Sequence, residues 1–110
     1  MELFTKEIEA KAQEQYPKGN DLESQVVVAK FFNPTGSGTW YLLNQDPEDT
    51  NYCWGICHTF EWEVGSFSKS DLENYKGKFG LGIERDLHFE EVNAKELWNK
   101  INNDVLYCAD

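Results

Sequence analysis

Three carboxylates stand in the four-residue turn Asp46-Pro47-Glu48-Asp49, and two more flank the chain's single arginine in Glu84-Arg85-Asp86. Clustered oxygen ligands suit a hard cation such as Mg²⁺ or Ca²⁺, and Pro47 fixes φ and pre-orders the first loop. The spacing is not that of an EF-hand, which needs a glycine at its sharp turn. A solvated acidic β-turn is the commoner meaning of such a cluster. Arg85 between two acids can form a bidentate internal ion pair or act as the one anion-recognising group of a pocket. Structural pairing is the preferred reading, with Arg85 tying the glycine-rich loop before it to the Asp46–Asp49 turn. His88 follows this triplet, close enough in sequence for a histidine–carboxylate pair.

Cys53, Cys57, His58 and Cys108 invite a zinc hypothesis. Structural zinc sites draw their ligands from tight knuckles such as C-x₂-C. Cys53 and Cys57 are four apart on a predicted strand, roughly 13 Å end to end, so one ion cannot take both unless the chain turns there. Buried small apolar side chains are the better account of these cysteines. His58 falls on the apolar parity of its strand and reads as a core or edge histidine. No G-x-S-x-G or H-E-x-x-H pattern occurs, and Gly80-Leu81-Gly82 lacks the helix start and lysine of a phosphate loop. No cofactor and no metal is therefore implied.

The elements that must position these residues follow from periodicity. Thr5 caps a thinly amphipathic helix over Lys6–Gln15, with Leu3 or Phe4, Ile8 and Ala12 on its apolar stripe, ended by Tyr16-Pro17. Gln25–Phe32 is β-branched and aromatic and reads as one strand. After the turn Asn33–Gly38, Thr39–Gln45 is the next strand, antiparallel to it, and it empties into the acidic turn. Tyr52, Trp54, Ile56, His58, Phe60, Trp62 and Val64 all fall on even positions, which predicts β-structure with one core face and a tight turn near His58–Glu61.

Ser70 with Glu73 forms a capping-box pattern and Ser68 with Asp71 a weaker one, which predicts a short helix through Leu72–Tyr75 that stops at Gly77. Phe79–Ile83 is a glycine-punctuated loop, and Leu87-His88-Phe89 a brief strand. Asn93 with Glu96 starts the clearest amphipathic helix, with Ala94, Leu97, Trp98, Ile101 and Val105 at helical spacing and Leu106-Tyr107-Cys108 packing at its end. The sum is a single α+β domain over residues 1–110, an antiparallel sheet packed by N- and C-terminal helices.

Composition narrows the function classes. The chain is 110 residues long, 40% apolar and 15% aromatic, enough for a core without staples. Ten basic against 20 acidic residues leave a net charge of -10, spread along the chain. That sign works against a phosphate backbone, so direct nucleic-acid binding is disfavoured. Acidity that keeps a small protein soluble is the preferred reading, and a basic partner, or a DNA-binding groove occupied in place of DNA, is the alternative. An odd cysteine count without a secretory signal points to a reducing, cytoplasmic setting, and no apolar run is long enough to span a membrane.

Lys30-Phe31-Phe32-Asn33-Pro34, Thr39-Trp40-Tyr41, Asp46-Pro47-Glu48-Asp49, Gly65-Ser66-Phe67-Ser68, Asp71-Leu72-Glu73 and the run Phe79 to Phe89 stand in an order that resembles domain-of-unknown-function family 2958. The resemblance covers roughly residues 1–90 and leaves the helix after Asn93 as a private extension. It implies a small bacterial protein of the kind found on phages, plasmids and other mobile elements, and no catalytic residue or cofactor. The preferred function is a non-enzymatic accessory protein that binds another protein, with an anti-defence role as its narrower form. The alternative is a small-ligand or metal-dependent enzyme in which Asp46, Glu48, Asp49, Glu84, Arg85 and Asp86 gather in one cleft. The oligomeric state is left open.

Overall fold

Thr5 opens the first helix by accepting a hydrogen bond from the Ile8 amide at 3.2 Å, as a threonine N-cap should. Helix α1 runs Lys6–Gln15 and passes into a 3-10 turn at Tyr16–Lys18, whose Pro17 has no amide to continue the ladder. Our computed structural model describes residues 1–103. Strands β1 (Val26–Val27), β2 (Ala29–Phe32), β3 (Thr39–Gln45), β4 (Tyr52–His58) and β5 (Trp62–Ser68) follow, then helix α2 (Lys69–Asn74). Strands β6 (Glu84–Arg85) and β7 (Val92–Asn93) and helix α3 (Ala94–Asn102) complete the fold. The main sheet is antiparallel in the order β5-β4-β3-β2-β6, and β1 pairs separately with β7. The α+β class with an antiparallel sheet between terminal helices is what the periodicity predicts.

The sheet is covered on both faces. Leu3, Phe4 and Ala12 from the α1 side, with Leu72 of α2, pack against Ala29, Phe31, Leu42 and Cys53. Ala94, Leu97 and Ile101 of α3 pack with Tyr41, Leu43 and Ile56. This corrects the expectation of one core face on even positions. Ile56 is buried as predicted, yet odd-numbered Cys53 and Cys57 are buried on the other side, and Phe60 is 97% exposed at the tip of the β4–β5 hairpin. The alternation identified the strands and their turn, with His58 opposite Trp62, but it could not report that α1 covers the polar-looking face.

Four local boundaries also differ. The predicted strand 25–32 breaks at Val28, because its first part pairs with β7 and its second joins the main sheet. Helix α2 starts two residues earlier than the stronger capping pattern indicates: Ser68 is the cap, accepting from the Asp71 amide. It ends at Asn74, with Tyr75 already extended, ahead of Gly77. The brief strand sits at Glu84–Arg85 rather than Leu87–Phe89, since only the former reaches β2. Asn93 caps α3 through the Glu96 amide as predicted. Val105, Leu106, Tyr107 and Cys108 lie outside the described residues.

One irregularity in β3 controls what surrounds the acidic turn. Pairing with β4 slips between Leu42 and Asn44, a β-bulge. The extra residue shifts the side-chain phase by one, so Leu42 and Gln45 both face α1 while Leu43 and Asn44 face the other side. Gly55, opposite Leu42, is required by the close approach: a Cβ there would lie 2.0 Å from the Tyr41 carbonyl oxygen.

Candidate functional site

The acidic turn is built from its own side chains before it meets anything else. Asp46 Oδ1 accepts from the Glu48 amide at 2.8 Å, and Asp49 Oδ1 accepts from the Asn51 amide at 3.3 Å. These are Asx turns, the reason aspartate is favoured at such positions. Main-chain bonds from the Asp46 amide to Tyr52 and from the Tyr52 amide to Asp49 close the loop. Asn51 then caps α2 through the Ser70 amide at 2.8 Å. The turn is a rigid junction between β3, β4 and α2.

Glu84, Arg85, Asp86 and His88 occupy the opposite part of the sheet. Glu84 and Arg85 pair with Phe32 and Phe31 on the edge strand β6, and the Asp86 amide bonds the Lys30 carbonyl. Asp86 Oδ1 accepts from the His88 main-chain amide at 2.9 Å, so the histidine–carboxylate link runs through the backbone and not the imidazole. Lys30 lies opposite Tyr41, five residues before Asp46 on β3. At strand rise that is roughly 15 Å or more along the sheet, with two strand spacings added sideways. The single cleft joining residues 46–49 to 84–86 is not formed, and Arg85 does not tie the two loops. Among the described residues Arg85 forms no ion pair, and its buried Nε has no hydrogen-bond partner.

The acidic turn instead gathers with three aromatic side chains. Tyr16, Tyr52 and Trp54 line an open cleft of about 510 Å³ together with Pro17, Asn20 and Asn44. The bulge places Asn44 beside Trp54, and Asn44 is held by bonds from its Nδ2 to Gly19 O at 2.9 Å and to Gln25 Oε1 at 2.8 Å. Tyr16 arrives from the end of α1, whose last residue Gln15 grips both polar groups of Val26 and the Leu43 carbonyl. Asp46 stands at the rim: its negative charge, with burial and a hydrogen bond to the phenol, raises the Tyr16 hydroxyl above its ordinary pKa. Tyr52 and Glu48 push in the same direction. The Trp54 Nε1–H is buried and unpartnered.

Sequence reasoning missed Tyr16, Tyr52, Trp54 and Asn44 as companions of the turn. Tyr52 and Trp54 share a parity two residues apart just past it, a signal that read as core. The cysteines behave as small buried side chains: burial pushes the Cys53 and Cys57 thiols up to about 12. Among the described residues no group of three or more His, Cys, Asp or Glu could hold a metal ion, and no helix is long and apolar enough to cross a membrane.

Comparison with known proteins returns one family. No curated protein and no solved structure matches the chain. The model of the family described as "Protein of unknown function (DUF2958)" matches residues 3–105. Helix α3 is therefore part of the family's domain and not a private extension, consistent with its burying Leu97 and Ile101 against the sheet. With the family model covering nearly its whole length, the chain belongs to the DUF2958 family.

Proposed function

We propose that this protein is a small acidic accessory module that works by binding another protein, with the cleft of Tyr16, Tyr52 and Trp54 as its contact surface. The observation that carries the reading is that three large aromatic side chains line one open cleft on a rigid frame. Tyrosine and tryptophan supply large contact area at low conformational-entropy cost and dominate the energetics of protein interfaces. The frame is pre-ordered by the Asx turns and the Gln15 and Asn44 bonds, which lowers the entropy lost on binding. The family's association with phages and mobile elements supplies the accessory setting, and the reading is of binding without catalysis.

The test is capture of partners from the bacterial host with immobilised protein. Tyr52→Ala should lose a retained protein that Phe60→Ala, at a more exposed aromatic away from the cleft, keeps. Equal retention by both variants would remove the cleft from the reading.

A further inference from the structure

We propose that the cleft is a cation-recognition site that takes a lysine or arginine side chain of the partner protein among Tyr16, Tyr52 and Trp54, beside the Asp46 carboxylate that bonds Tyr16. The inference rests on the cleft being the contact surface and adds the chemistry of what enters it. Aromatic faces carry negative quadrupole density and attract ammonium or guanidinium groups, most strongly for tryptophan. Here the three rings line a 510 Å³ cleft, large enough for a side-chain head group.

The second observation is electrostatic. Ion pairs among the described residues join Lys11 to Glu91, Lys69 to Glu9 and Lys100 to Glu96, and none involves Asp46 or Glu48. Lys18, two residues from Tyr16, gives its ammonium to the Ser24 carbonyl at 2.7 Å. The rim charge is left unneutralised by the protein's own cations, in a chain of net charge -10. The Asp46 carboxylate is pre-placed, since the Glu48 amide holds its Oδ1 and the Asp46 amide holds the Tyr52 carbonyl. A cation entering the cleft meets that charge with little reorganisation of Asp46.

Four probes separate the sources of binding: N-acetyl-lysine methylamide, N-acetyl-arginine methylamide, choline, and choline's uncharged isostere 3,3-dimethyl-1-butanol. Each is titrated into ¹⁵N-labelled protein while the Trp54 indole N–H and the amides of residues 44–54 are followed. The lysine and arginine probes should shift these resonances saturably, and the neutral isostere should not. Asp46→Asn and Glu48→Gln keep the turn's acceptors, remove its charge, and should each weaken binding about two- to fivefold. Added salt should weaken it further.

Equal shifts from the neutral isostere would overturn the cation assignment while leaving the cleft a binding site. Response to choline alone would overturn the partner side chain in favour of a free quaternary ammonium ligand. Silence from every cationic probe, with partner capture still lost in Tyr52→Ala, would sink the cation inference and leave the binding-module reading standing. Silence together with unaltered capture would sink both.

Discussion

Phe79 combines two costs at one residue: it is 94% exposed and holds a left-handed φ of 60°. A bulky L side chain in that region is disfavoured by about 1–2 kcal/mol. The loop is closed around it by the Gly77 amide to Leu81 carbonyl bond at 2.7 Å, so the strain is imposed by the surrounding turn. Phe79→Gly should leave the fold intact and hold or raise its stability by up to about 1 kcal/mol, read as an unchanged or higher Tm. A clear drop in Tm would show that the ring packs on something in the folded state. Cys53 and Cys57 make a second residue-scale prediction. Thiols held near a pKa of about 12 by burial carry almost no thiolate at pH 8. Iodoacetamide should leave both unlabelled in the native protein and modify them in denaturant, as peptide mass mapping would reveal.

At the scale of elements, the polar glutamines do the work that sheet pairing leaves undone. Strand β1 is only two residues long, and Val26 points its main chain away from β7's ladder toward Gln15, which bonds its N–H at 2.8 Å and its C=O at 2.9 Å. The same Nε2 reaches the Leu43 carbonyl at 2.6 Å, beside the bulge. Gln15→Met keeps the volume and strands these three main-chain groups, so unfolding by urea should show a loss of about 2–4 kcal/mol. The substitution should also loosen the seat of Tyr16 and weaken any ligand of the cleft. A loss below about 0.5 kcal/mol would mean that water replaces the amide without cost, against the burial of Gln15 at 8% exposure.

At the scale of the whole molecule, one ion pair links three parts of the fold. Lys69 Nζ lies 2.8 Å from Glu9 Oε2, joining α1 to the β5–α2 junction, and Gln45 Nε2 bonds the same carboxylate oxygen at 2.9 Å. Burial alone would raise the Glu9 pKa, but the hydrogen bonds from Lys69 and Gln45, with the Lys69 charge, outweigh it and hold the carboxyl below its ordinary value. Hydrogen bonding to Glu9 holds Lys69 above its ordinary value. The depressed acid contributes stability above its unfolded pKa, near 4.5, that disappears as pH falls through the folded value. The raised base contributes stability below about 10.5 that disappears as pH rises through its folded value. Lys69→Met should therefore cost about 1 kcal/mol at pH 7, after allowance for partial exposure of both groups. The difference from wild type should close in acid, below the Glu9 folded pKa. A constant difference between pH 7 and pH 2 would assign the loss to packing against Phe4, over whose ring Lys69 stands.

Periodicity and capping chemistry in the sequence alone determined the bounds of α1, the β2–β3 and β4–β5 hairpins and the cap of α3. Those features are set by neighbours three or four residues apart, or by the period of two. The order of short motifs was likewise enough to point to the family. Only the tertiary structure decided which face each element covers and what stands beside the acidic turn. The reason is legible in β3 itself. Leu42 and Leu43 are both apolar and Asn44 and Gln45 both polar amides, so a one-residue phase slip changes nothing that a hydropathy pattern can register. That slip sends Gln45 to the ion pair on α1 and Asn44 beside Trp54, in the cleft that Tyr16 and Tyr52 also line.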